Sequence, residues 1–250
     1  MTVFGMTLML AACDSKEPLE SGDTGTDNLD TDTGTGDVEI APIDNIHQVV
    51  AGKTFIWDIQ DKNWSEPRGS GAEFGQAVPN IMLQITNANE DGTMTFFTGT
   101  ADVNGIQSDC TTTVDIQAAV GANPAFTTTP INFLTYGENL SDEAPVHQVQ
   151  ATMYGMTMGG SFVVKDGVVG IRKGFLEMMI DFRETVKLFH LRPNATPESI
   201  CEEAPDFNAH CEACPNDPSS VTCLKLKAEL VSIDEAVGKS VVPKTSACFK

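Results

Sequence analysis

Positive charge is scarce in this chain. Its 250 residues carry 15 Lys and Arg against 35 Asp and Glu, a formal net charge of −20. A surface that acidic repels phosphate backbones, so nucleic acid is not expected as a partner. Long apolar runs are missing as well. No later stretch approaches the roughly 18 consecutive apolar residues of a transmembrane helix, so no span is expected. Enzyme signatures fail in turn. There is no G-x-S-x-G elbow and no H-E-x-x-H. Gly69, Gly71 and Gly75 are spaced G-x-G-x-x-x-G, one residue too long for a dinucleotide fingerprint, and no βαβ pattern surrounds them. His47, His147, His190 and His210 are scattered, with no pair at helical ligand spacing. The sequence therefore predicts neither a catalytic residue nor a cofactor.

What is present begins at the N-terminus. Residues 1–13 read MTVFGMTLMLAAC, an apolar run closed by Leu10-Ala11-Ala12-Cys13. That tetrad resembles the lipobox of bacterial lipoproteins. The resemblance implies that residues 1–12 are a cleaved signal peptide and that Cys13 becomes the lipidated N-terminus. The run is too short for a span of about 20 residues. Asp14, Ser15, Lys16 and Glu17 follow at once, which is also wrong for an anchor. Met1–Thr7 has no Lys or Arg, unlike a secretory n-region, and a start codon placed too far downstream accounts for this. The expected location is the cell envelope, on the outer membrane or cell surface, with the membrane reached through Cys13 alone.

Residues 13–46 are a different material. Between Asp14 and Ile46 lie ten Asp or Glu and one Lys, a net of −9, and the stretch 14–37 has almost no large apolar side chain. Such a stretch cannot bury enough surface to offset its ordering entropy, and like charges extend it. It reads as an acidic tether. Asp30 and Asp32 have the i, i+2 spacing of a calcium loop, but the remaining ligand positions fail.

Residues 47–250 are then one domain by length. Apart from Cys13 the chain has Cys110, Cys201, Cys211, Cys214, Cys223 and Cys248, five of them after residue 200. An even number in an exported domain predicts three disulfides whose pairing sequence cannot choose, with Cys110 reaching into a stapled C-terminal part, about 201–250. Zinc at Cys201, Cys211, Cys214 and Cys223, beside His210, is the weaker alternative, because thiolate sites belong mainly to reducing compartments. Pro215 stands where haem attachment needs His, and Pro215-Asn216-Asp217-Pro218 is loop chemistry, against a redox C-x-x-C.

Alternating apolar residues predict strands at Thr54–Gln60, Ile81–Thr86, Thr93–Thr98, Thr111–Ile116, Ile131–Tyr136, Gln148–Tyr154 and Thr222–Val231. Ser161–Lys165 and Val168–Ile171 flank Asp166-Gly167, a strong hairpin signal. Phe175, Met179, Phe182, Val186 and Phe189 recur at helical spacing, predicting one amphipathic helix over Lys173–His190. Thr196-Pro197-Glu198 predicts the start of a second, shorter helix carrying Cys201. The fold class is mainly β (α+β): an antiparallel sandwich or lipocalin-like barrel. Asp181 and Arg183 are the best polar site candidates. Two apart on a helix, they would not face each other, and a structural role is the favoured reading.

Several short motifs occur in a particular order. They are Gly69-Ser70-Gly71, Asp109-Cys110-Thr111, Asn123-Pro124-Ala125-Phe126, a G-G-S-F strand with a D-G turn, Asp181-Phe182-Arg183, and C-E-A-C-P before Cys223-Leu224. In this the chain resembles a group of uncharacterised secreted lipoproteins of myxobacterial, deltaproteobacterial type. The resemblance implies export and brings no activity. The expected function is a non-enzymatic lipoprotein that binds a small molecule or an envelope protein or acts as a scaffold. The alternative is an exported hydrolase whose groups converge only in three dimensions.

Overall fold

Alternating side chains along the chain bury one face of each strand, and the strands collect into one sheet. The computed structural model describes residues 42–59, 64–67, 79–102, 104–121, 124–138, 148–186 and 195–245. Cys13, the acidic tether up to residue 41, Gly69-Ser70-Gly71, His147, His190 and Cys248 lie outside the described residues.

A short helix, α1 (Ile46–Val50), leads into β1 (Thr54–Trp57) and β2 (Trp64–Glu66). Then follow β3 (Asn80–Ala88), β4 (Thr93–Ala101), β5 (Val114–Val120), β6 (Ala125–Thr128) and β7 (Ile131–Glu138). Two long strands come next, β8 (Gln148–Lys165) and β9 (Val168–Asp181), joined by the expected Asp166-Gly167 turn. After them stand α2 (Phe182–Thr185), α3 (Pro197–Glu203), β10 (Cys211–Glu212) and β11 (Cys223–Asp234). All the pairings are antiparallel, in the order β1-β3-β4-β5-β6-β8-β9-β11-β10, with β2 also on β11 and β7 on β8.

The sheet is mainly β, as expected, but it is neither a two-sheet sandwich nor a closed barrel. It bends far enough for β1 to meet the end of β11, where an isolated bridge, Phe55 to Glu235, joins them. Lys53 Nζ lies 2.9 Å from Glu235 Oε1 at the same seam. The pairing of the two long strands is irregular. The β8–β9 register shifts between Tyr154 and Thr157 and again between Gly159 and Ser161. A Cβ on Gly159 would come within 2.4 Å of the Phe175 ring and 2.7 Å of the Phe126 carbonyl oxygen. Only glycine lets these strands approach so closely.

The inner face carries the main cluster of buried apolar side chains. Phe126 stacks on Phe162 at 4.7 Å, and Phe55 and Phe96 close in at 6.0 Å and 5.3 Å. Met94, Met153, Met156, Met158 and Met178 are buried in the same cluster, where an unbranched thioether adapts readily to its neighbours. On β11, Leu224, Leu226, Ala228 and Leu230 point inward as the alternation predicts, while Lys225 and Lys227 face Glu66 and Glu177 outside.

The expected helix over Lys173–His190 is a correction. Residues 173–181 belong to β9, only Phe182–Thr185 is helical, and 187–190 lie outside the described residues. The segment FLEMMIDF is so densely apolar that it fits both periods. Pairing with β8 on one side and β11 on the other decides for the strand. The inward residues are Leu176, Met178 and Ile180, whereas Phe175 and Met179 are half-buried on the other face. Two expected strands, Gln148–Tyr154 and Ser161–Lys165, are parts of the single strand β8. The helix at Pro197 forms as expected, with Thr196 and Ser199 in a reciprocal capping box.

Cys201 pairs with Cys211 and Cys214 with Cys223. Cys110 is disulfide-bonded too. The four cysteines of the zinc alternative are therefore bonded to one another. Among the described residues, no helix is long and apolar enough to cross a membrane.

Candidate functional site

A dense polar cluster forms where β9 ends, at Asp181. Its carboxylate is 1% exposed, and its backbone is still extended, with φ −97° and ψ 118°. Asp181 is thus the N-cap of α2 rather than part of it, accepting from Arg183 N at 2.9 Å. That position overturns the expectation that Asp181 and Arg183 face apart. With Asp181 outside the helix, the Arg183 side chain folds back onto it. Arg183 Nε donates to both carboxylate oxygens at 3.1 and 3.0 Å, and Nη2 to Oδ2 at 2.6 Å. Thr222 Oγ1 donates to Asp181 Oδ1 at 3.1 Å.

Arg183 continues outward. Its Nη1 donates to Asp217 Oδ2 at 2.7 Å. Asp217 sits in the loop closed by Cys214–Cys223, where it also accepts from Ser219 Oγ at 2.6 Å. Inside that loop Ser220 N donates to the Asp217 carbonyl and Cys214 N to the Ser220 carbonyl. One guanidinium therefore ties the end of β9 to the disulfide loop. A second link runs in parallel. Tyr154 on β8 donates to Glu184 Oε1 at 2.6 Å and accepts from Asn216 Nδ2 at 2.7 Å, while Thr152 N donates to Glu184 Oε2.

The electrostatics follow from these contacts. Burial pushes the Asp181 carboxyl up, but the Arg183 and Thr222 hydrogen bonds outweigh it and hold the group below its ordinary range. Asp217 is lowered by Ser219 and then by Arg183. Arg183 is raised by its two carboxylates, chiefly Asp181. Burial and the neighbouring Glu184 raise the Tyr154 phenol.

Asp181 Oδ and the Cys214 and Cys223 sulfurs offer ligand atoms that all lie within 4.8 Å of one another. They do not make a metal centre, because a disulfide presents no thiolate. Both Asp181 oxygens are also occupied by Arg183 and Thr222. The cluster's chemistry is that of a clamp. Arg183 neutralises Asp181 and reaches Asp217, while Glu184 is held by hydrogen bonds from Tyr154 and Thr152.

Sequence reasoning identified Asp181 and Arg183 but not Asp217, Thr222, Tyr154, Glu184 or Asn216. A signal existed for one of them. Asp217-Pro218-Ser219 between two cysteines is an Asx-turn sequence, which places a carboxylate at the loop tip. Elsewhere, the Trp57 and Trp64 indole N–H groups and the Thr98 and Thr135 hydroxyls are buried with no hydrogen-bond partner among the described residues. No protein-family model, curated protein or solved structure matches this chain, so the roles assigned to its residues rest on the geometry above.

Proposed function

We propose that this chain is a bacterial envelope lipoprotein whose domain has a non-enzymatic scaffold role. The lipobox-like Leu10–Cys13 supports lipid attachment, and the acidic segment after it supports a tether. The observation that carries the scaffold reading is the state of the best candidate site. Asp181 and Arg183, the polar pair most suggestive of chemistry, are fully engaged in holding the Cys214–Cys223 loop onto the sheet. The packed phenylalanine rings of the inner face support the same reading.

The anchor is tested by mass spectrometry of membrane-extracted protein. A diacylglyceryl-modified N-terminal Cys13 is expected, and Cys13→Ser should release the protein or leave the precursor uncut. Unmodified protein that begins at Met1 refutes the anchor. The scaffold reading is tested by a broad hydrolase screen of the exported protein. Activity abolished by one Asp, Glu, His or Ser substitution overturns it.

A small-molecule binder is the second reading, and the unpaired indole donors of Trp57 and Trp64 favour it. A buried N–H without an acceptor costs about 1–3 kcal/mol, which a ligand oxygen would recover. These are the chain's two tryptophans. A saturable change in their fluorescence on titration with a carboxylate-bearing apolar probe such as decanoate supports this reading, and no change removes it.

A further inference from the structure

We propose that the inner face of the sheet takes up an uncharged acyl lipid, a protonated fatty acid or its ester, whose polar head bonds to unpaired groups among Trp57, Trp64, Thr98 and Thr135. This rests on the binder reading above and adds to it the charge state of the ligand. Among the described residues, five buried side-chain polar atoms have no hydrogen-bond partner. Thr54 is one, and alternation places it with Ile56 on the outer face. The other four face inward. Trp57 and Trp64 belong to the main core cluster. Thr98 follows Phe96 by two residues and Thr135 follows Phe133 by two, and both phenylalanines are in that cluster.

The unpaired groups select the head. An indole N–H only donates, whereas a threonine hydroxyl donates and accepts. A carboxylic acid suits this set, its carbonyl accepting and its O–H donating, and so does the carbonyl of an ester. Charge decides the ionisation of the acid. Among the described residues no Lys, Arg or His is buried. The disulfide-bonded cysteines aside, the buried ionisable groups are Asp181 and Tyr154, both engaged in the clamp. A carboxylate taken to this face would meet no cation, which costs far more than neutral hydrogen bonds return. The acid therefore binds with its proton, taken from solvent.

The same face suits the alkyl chain. Trp64 pairs with Ala228, Ala228 with Leu176 and Leu176 with Met158, so one inward row runs from an unpaired indole to a methionine. Met153, Met156 and Met178 belong to the same cluster, and their unbranched side chains change rotamer readily around an apolar guest. Thr135 stands opposite Ala151, so neither Trp64 nor Thr135 faces a large side chain across its ladder.

Decanoate and methyl decanoate, titrated into the full chain with tryptophan fluorescence as the readout, test the charge state. An aliphatic carboxyl ionises at about pH 4–5 in water. If only the protonated fraction binds, the apparent Kd of decanoate rises about tenfold per pH unit between about pH 6 and 8. The Kd of methyl decanoate should stay constant, which controls for titration of the protein. A decanoate Kd that is the same across that range overturns the inference and leaves the binder reading standing. No fluorescence change with either compound overturns both. Thr98→Val combined with Thr135→Val tests the hydroxyls. Neither hydroxyl has a partner in the free chain, so the double variant should melt no lower than wild type. Its Kd for decanoate should nevertheless rise about three- to tenfold. An unchanged Kd in the folded variant overturns the inference.

Discussion

Replacing Asp181 by Ala removes the centre of the clamp, and the contacts give the size of the effect. The loss of an N-cap costs about 1 kcal/mol. Losing charge-assisted hydrogen bonds to a buried carboxylate adds about 1.5–3 kcal/mol. The upper values for a broken buried ion pair do not apply, because Arg183 is 36% exposed and keeps Asp217. Thr222 loses its acceptor but retains Ser220 Oγ at 2.9 Å. The expected destabilisation is therefore about 3 kcal/mol. Asp181→Asn keeps an oxygen for the Arg183 and Thr222 donors and should cost about half as much. Urea unfolding followed by fluorescence measures both, since Trp57 and Trp64 are buried and must become exposed. A loss below about 0.5 kcal/mol for Asp181→Ala, the level of an ordinary surface change, refutes the clamp.

The same carboxylate sets a pH dependence. Its folded pKa is depressed, so its stabilisation is fully present above the unfolded value of about 3.9 and is lost as pH falls through the folded value. The gap between wild type and Asp181→Asn in urea midpoint should shrink below about pH 4 and stay constant above pH 6. Phe182 is wholly buried in α2, so Phe182→Asp should cost several kcal/mol and unfold a marginal domain, as circular dichroism would report. Gly159→Ala drives a methyl into the Phe175 ring and the Phe126 carbonyl, and thermal melting should show a loss of about 1–3 kcal/mol. A melting temperature equal to wild type would mean that β8 and β9 are not so closely apposed.

How much of this could be read in the sequence depended on which signals were local. Strands β1, β3, β4 and β7, the Asp166-Gly167 turn and the Thr196 cap declared themselves through alternation or turn chemistry within ten residues. Phe175–Phe182 did not, because its two possible periods differ only in what lies alongside. β2, β6 and β10 are four residues or fewer and carry no periodicity of their own. At the site, Asp181 and Arg183 stood out as an adjacent polar pair in an apolar run. Their partner Asp217 is 34 residues beyond Arg183, and no local pattern connects them.

The long edge of β11 has a consequence for how this chain must fold. One side of the strand pairs with β9, and among the described residues the other is covered piecemeal: by β10 at Cys223 and Leu224, by β2 at Lys227 and Ala228, and by β1 at Glu235. Two of the three covers come from residues 55–66, laid down long before β11 exists. The third arrives just ahead of it. Until β11 is made, β9 shows an open edge to any extended segment nearby, which is the situation that promotes aggregation. Protection of that edge is a late event of high contact order, and slow closure is the expected result. A chain truncated before residue 223 would expose β9 permanently, so aggregation should appear abruptly at that length rather than in proportion to the residues lost.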